Sequence, residues 1–338
     1  MKNTTSKECV LTISKSVLGA MSICAALFMG GCGGESSSSG GGAGLPALDV
    51  PAAEANTETG TEAADMVVGA NYTSGIGMFS ASSTSGKRFN PVSYVKQQVL
   101  KHNGIVLSSA EVQPAASQSF SEDCYDENYN KSGSISFSVS TNDAGTSGSA
   151  TIVYNQCNNY GYGVLNGKVK MSVTGTGLND YDYTLKTSKI SFATDFSLMY
   201  DGSSYTIHQG TYVDDTYTVY DWDNDHYAGT ETSSLWIDFN GNEHYRYDDL
   251  TVEFDDDEYT NNTMSACYKS GRIYVGNLTA YLDIDATYDP DCQDPFVWSS
   301  YMLESGSMEL IGSNDSRVHV QATGSGSYTV TVTPTAAQ

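Results

Sequence analysis

The chain has 338 residues, with 16 Lys or Arg against 40 Asp or Glu and a formal net charge of −24. A surface this acidic is repelled by nucleic acid and by anionic lipid headgroups, so neither a nucleic-acid partner nor membrane attachment through bulk basic charge is expected.

The first element is a targeting segment. Lys2, Lys7 and Lys15 lead into the 13-residue apolar run 17–29, and Gly30-Gly31-Cys32 follows. A positive segment, a short apolar run and small residues before a cleavage point make a secretory signal. The run is shorter than the roughly 20 residues needed to span a bilayer. Met29-Gly30-Gly31-Cys32 resembles the lipobox of bacterial lipoproteins, with Met29 where Leu is usual. The resemblance implies a signal peptide over residues 1–31, a lipidated Cys32 with an acylated new N-terminus, and anchoring through acyl chains, which hold firmly when two or more are present. In that family Gly33, in place of Asp, leans toward the outer membrane, on its periplasmic or its exposed side. Cleavage removes three Lys and one Glu and takes the charge to −26.

Residues 33–66 read as a tether. Gly, Ser, Ala, Thr and Glu dominate, and no aromatic residue occurs between Phe28 and Tyr72. Such a segment buries too little apolar surface to offset its ordering entropy; as a coil it would span roughly 30–35 Å. The β domain is expected over residues 67–338. Its one short helix is expected to begin at Asn90-Pro91, with Val92, Val95, Val99 and Leu100 on one face and His102-Asn103-Gly104 as its stop.

Period-2 alternation dominates the rest. Val169, Met171 and Val173 share one parity. So do Ile190, Phe192, Phe196, Leu198 and Tyr200; Leu235, Ile237 and Phe239; Leu278, Ala280, Leu282 and Ile284; and Tyr328, Val330 and Val332. Such alternation buries one face and solvates the other. Asp201-Gly202 and Asn240-Gly241 are hairpin signals, because both residues tolerate positive φ. The expected fold is therefore mainly β, an antiparallel meander of about a dozen strands forming a sandwich, an open curved sheet or a partly closed barrel. Ser132-Gly133, Ser270-Gly271 and Ser305-Gly306, with a looser copy at Gly148-Ser149, each open an alternating run. They fit either two related halves or the commonness of Ser-Gly turns. The strand over residues 148–157 followed by Asn166-Gly167, and the stretch Ser305–Gly312, are similar to patterns in uncharacterised bacterial lipoproteins, which imply exported β domains.

Four cysteines remain after the signal and Cys32: Cys124, Cys157, Cys267 and Cys292. In an exported chain an even number reads as disulfides. Three pairings are possible, and nearness in sequence favours Cys124–Cys157 with Cys267–Cys292. No paired Cys-x-x-Cys spacing or Cys/His cluster supports a metal site.

Candidate chemistry concentrates in residues 212–260, which hold 15 Asp or Glu and one Arg. Asp221, Asp223 and Asp225 place carboxylates at the spacing that begins a calcium loop, but His226 and Thr232 stand where a helix-loop hand needs Gly and Glu. They remain candidate Ca²⁺ ligands of a loop site. Asp283, Asp285, Asp289, Asp291 and Asp294 form a second acidic cluster. Glu253-x-Asp255-x-x-Glu258 resembles the catalytic strand of a β-sandwich family of endoglycanases, which implies Glu253 as nucleophile and Glu258 as acid/base. Charged Asp256 and Asp257 depart from that family's apolar spacing. No nucleophile elbow, zinc-protease helix or phosphate loop occurs, and none of the five histidines has a triad context in sequence. Tyr and Trp interleave with the acids, as strand filler or as a recognition surface for glycan or protein.

The expectation is thus a lipid-anchored, disulfide-stapled envelope module with a binding or structural role and no catalysis. A calcium-dependent adhesin-like module and a glycan hydrolase using Glu253 and Glu258 are the alternatives. The expected partners are the membrane, through the lipid, and an envelope protein or glycan. No cofactor is expected, and Ca²⁺ is the one candidate ion.

Overall fold

The computed structural model describes residues 44–68, five positions between 91 and 99, and 117–333 except 143, 159–162, 179–183, 201, 222–223, 225, 258–262 and 300–301. The signal segment, Cys32, Asp223, Asp225 and Glu258 therefore lie outside the described residues. Among the described residues helix α1 (Thr57–Val67) and helical positions between 91 and 99 precede seventeen strands. These are β1 (Ser117–Tyr125), β2 (Lys131–Thr141), β3 (Ser147–Asn158), β4 (Val164–Thr176), β5 (Thr184–Phe192), β6 (Phe196–Tyr200), β7 (Ser203–Ile207), β8 (Tyr212–Asp221) and β9 (His226–Phe239). They continue as β10 (Glu243–Asp257), β11 (Thr263–Val275), β12 (Ala280–Ile284), β13 (Phe296–Ser299), β14 (Met302–Ser305), β15 (Ser307–Ile311), β16 (Arg317–Gly324) and β17 (Ser327–Thr333).

All the strands belong to one antiparallel sheet that follows chain order. Four rows are broken in two. β5 and β6 both lie along β4, and β8 and β7 both lie along β9. Further on, β12 and β13 share β11, with β15 and β14 in the next row. Among the described residues β1 pairs only with β2 and β17 only with β16, so the sheet does not close into a barrel.

The alternation seen in sequence is the burial pattern. Val169, Met171, Val173, Ile190, Phe192, Phe196, Leu198, Leu235, Ile237, Leu282 and Ile284 are buried. Tyr200, Phe239, Ala280, Tyr328 and Val330 are partly buried against them, and Leu278 lies outside the strands, in the turn before β12 at φ 68. Asn240 and Gly241 turn β9 into β10 at φ 49 and 73, and the Asn240 side chain accepts the Ser204 N–H. Three of the Ser-Gly copies, at Gly133, Gly271 and Gly306, are places where a neighbouring backbone comes too close for a Cβ, whereas the looser copy at Gly148 has room for one. At Gly133 (φ 86) that neighbour is Asn155 and Gln156 of the following strand; at Gly271 (φ 145) it is Leu250 of the preceding one. These two copies occupy different places in the meander.

The expectation of a tether to residue 66 needs correction. Asn56 caps α1, accepting the Glu58 and Thr59 N–H groups, while Thr59 reaches back to the Asn56 N–H. The helix buries Gly60, Ala63, Ala64, Met66 and Val67 against the core face of the sheet. Before it, Ala52 bridges Tyr281 in parallel; Ala53 donates to the Tyr281 carbonyl, and its own carbonyl accepts from Ser313. Residues 52–67 thus belong to the folded unit, and the helix face they bury is made of small side chains. Farther along, Pro91, Val92, Tyr94, Val95 and Val99 are helical, and Val92, Val95 and Val99 are buried, in line with the helix expected there.

Candidate functional site

Helix α1 creates the first candidate. A groove of about 770 Å³ separates Thr57, Glu58, Thr61, Glu62, Asp65 and Met66 from the β9–β10 turn and Asn277. The turn contributes Asn242, Glu243, His244 and Tyr245. The volume falls in the range of small-ligand clefts. The groove is held open by fixed contacts. Both Glu62 oxygens accept the Gly276 N–H at 2.9–3.0 Å, and Tyr328 donates to Asp65 at 2.5 Å. Tyr245 donates to Glu243 at 2.6 Å. Burial, then that bond and the charges of Glu243 and Glu62, push the Tyr245 hydroxyl well above its ordinary range. The hydroxyl therefore stays a neutral donor.

Beside the groove, on the face opposite the core, three residues far apart in sequence meet. His244 Nδ1 donates to one oxygen of Asp238 at 2.5 Å, and His208 Nε2 to the other at 2.9 Å. His208 also stacks on Trp236, with centroids 4.2 Å apart. Burial raises the Asp238 carboxyl, but hydrogen bonds and charge from the two imidazoles prevail and hold it below the usual carboxylate range. The polar band continues along the same face. Arg246 lies opposite Trp236, fully buried, with its guanidinium over the rings of Trp236 and Tyr274. It donates to both Asp248 oxygens and to the Pro46 carbonyl. Burial and a hydrogen bond to Asp248 push the Tyr274 hydroxyl up to about 12.

A third constellation faces the core. Asp215 and Glu231 are cross-strand partners of β8 and β9, each 1% exposed. Tyr217 donates to Asp215 at 3.2 Å and Ser233 to Glu231 at 3.1 Å. Nothing in the sequence marks this pair, because parity alone does not say that an acid occupies a core position.

The residues singled out from sequence are placed as follows. Cys124–Cys157 and Cys267–Cys292 are the two disulfides, the pairing that sequence nearness favours. Asp221 ends β8 and accepts the Asn224 N–H and side-chain amide. In the second acidic cluster four of the five carboxylates have protein partners. Asp283 meets Arg272, Asp285 meets Arg317 and Thr287, Asp289 accepts the Gln293 and Asp294 N–H groups, and Asp294 accepts from Ser307. Among the described residues no three His, Cys, Asp or Glu side chains are grouped to hold a metal ion. Glu253 and Asp255 share the solvent face of β10 and Asp256 lies on the other. Glu253 sits 3.4 Å from Lys269 and 3.0 Å from Cys292 Sγ, and Asp255 pairs with His226. The aromatics of the acidic stretch divide: Tyr217, Tyr220, Tyr227 and Phe254 pack on one another, whereas Trp236 and Tyr245 line the outer band and the groove.

No family model, curated protein or solved structure matches the chain. Among the described residues no helix is long and apolar enough to cross a membrane.

Proposed function

We propose that this protein is a non-enzymatic binding module held at the cell envelope by lipid on Cys32, with the α1 groove as its ligand site. The groove carries the reading: a cleft of about 770 Å³ between a helix and two sheet turns, rimmed by Glu58, Glu62, Asp65 and Glu243. An acidic rim around an apolar floor suits a ligand that brings cationic or hydrogen-bond-donor groups on an apolar body. Two disulfides support an oxidising compartment. Eleven residues separate Cys32 from Gly44. Even fully extended they reach about 40 Å, so a Cys32 anchor would keep the fold beside the bilayer.

Two experiments test this. A clickable fatty acid should label the wild-type chain and not Cys32→Ser; equal labelling of both removes the anchor. For the groove, spermidine and a Lys-containing amphipathic peptide serve as probes in calorimetry. Binding that disappears in Glu58→Lys/Asp65→Lys supports the site. Unchanged binding in that variant, or no binding of either probe, overturns it.

A further inference from the structure

In a chain with 40 acidic residues, strands β2, β3, β4 and β5 contain none. The same four strands carry Lys131, Lys168, Lys170, Lys186 and Lys189. The charge of this protein is therefore divided across its sheet.

Lys168, Lys170 and Lys189 stand on one face; Lys186 is exposed at the irregularity in the β4–β5 register, and Lys131 at the start of β2 reaches Asp123. Val169, Met171 and Val173 point into the core, which turns Lys168 and Lys170 outward. Lys170 lies between Thr151 and Ser191, and Lys189 between Ser172 and Asp214. Lys189 is paired to Asp214 at 2.8 Å and Lys131 to Asp123 at 2.7 Å. Lys168, Lys170 and Lys186 are in none of the ion pairs of the described residues. Around them the face is built of hydroxyls in cross-strand pairs: Ser119 with Ser138, Ser140 with Ser149, Thr174 with Thr187. A lawn of Ser and Thr with the ammonium groups of Lys168, Lys170 and Lys186 presents many donors to phosphate oxygens, and the carboxylates bordering it, Asp123 and Asp214, are already paired with Lys131 and Lys189.

We infer that this outer face of β2–β5 rests on an anionic, phosphate-bearing lipid headgroup layer. The choice of a lipid layer rests on the Cys32 anchor proposed above, and the path of the chain agrees with it. Pro46 lies on this same outer face, where its carbonyl meets Arg246 of β10. From β10 the rows β9, β8, β5 and β4 follow, roughly 19 Å in all at the usual strand spacing. The eleven residues between Cys32 and Gly44 reach farther than that. The anchor and the basic patch can thus meet one surface together, while the acidic strands β8–β10 are left to water or to a partner. Overall repulsion from an acidic bilayer does not forbid this, because exposed charges beyond about 8–10 Å are screened at physiological salt.

The test uses the mature chain with Cys32→Ser, so that binding does not depend on acylation and fails separately from the labelling experiment. Sedimentation with phosphatidylglycerol vesicles should exceed that with phosphatidylcholine vesicles, and should weaken as salt rises. Lys168→Glu/Lys170→Glu/Lys186→Glu should lower the partition coefficient at least about tenfold, since each basic group near such a surface counts for roughly a factor of five. Lys269→Glu, on another part of the sheet, should leave it within about twofold. Equal sedimentation with both lipids, an unchanged triple variant, or pelleting without vesicles through self-association would each overturn the inference.

Discussion

His244 and Asp238 face each other across β10 and β9, and Nδ1 of the one lies 2.5 Å from Oδ1 of the other. The pair has a consequence for acid stability. Asp238, and likewise Asp285 beside Thr287 and Arg317, has a carboxyl held below its ordinary range. In both, burial opposes the shift and the hydrogen bonds and charges outweigh it. A carboxyl depressed by folding stabilises fully above its unfolded pKa of about 4 and loses that contribution as pH falls through the folded value. The melting temperature should therefore drop steeply below about pH 4. Asp238→Asn should make that drop shallower while lowering the melting temperature at pH 7. An identical acid limb in the variant would show that Asp238 does not contribute.

Gly60 offers a test of the helix packing. A Cβ there would lie 2.5 Å from Val318 Cγ1 and 2.9 Å from Val330 Cγ1. Alanine improves helix propensity by about 1 kcal/mol, but overpacking a filled core costs about 1–3 kcal/mol. Gly60→Ala should therefore destabilise in urea unfolding. A gain in stability would mean that α1 does not seat against β16 and β17.

Much of this architecture is legible beforehand, and the exceptions have physical causes. Strand parity declares itself at Val169, Met171 and Val173 because one face is wet. The turn at Asn240-Gly241 declares itself because few other residues take positive φ twice. α1 escapes notice because close packing selects Gly60, Ala63 and Ala64, residues that in a row look like linker. The cap at Asn56 with Thr59 three residues on is the signal that finds it. The His208–Asp238–His244 cluster is invisible for another reason: its members come together only through the register of β7, β9 and β10.

Arg246 should be among the least tolerant positions. It is fully buried and joins Asp248, Trp236, Tyr274 and Pro46. Removing one member of a buried ion pair costs about 3–5 kcal/mol. Arg246→Ala should also free the segment around Pro46, seen as faster proteolysis before residue 55. Arg246→Ala/Asp248→Ala should recover part of the stability but not the protection. Protection equal to wild type in either variant would show that Arg246 does not hold this segment.

The disulfides differ in what they hold. Cys124–Cys157 joins β1 to β3 across β2, at a sequence separation of 33. Cys267–Cys292 ties the 285–295 excursion to β11, at a sequence separation of 25. Chain-entropy estimates give about 3.5–4 kcal/mol for each. Peptide mapping of unreduced protein should find these two links. Cys267→Ser/Cys292→Ser should loosen residues 285–295 in hydrogen exchange and leave β1–β3 protected. Uniform loosening of the sheet would contradict the local role.

The parallel bridge between Ala52 and Tyr281 bears on the order in which the molecule is finished. Residues 44–55 complete a row whose other members, Tyr281, Ser313 and Ser316, are synthesised far later. The segment thus has no complete seat until residue 316 has emerged. Its docking waits on the distal strands, and a chain stopped before residue 281 would be betrayed by an unprotected 44–55 segment.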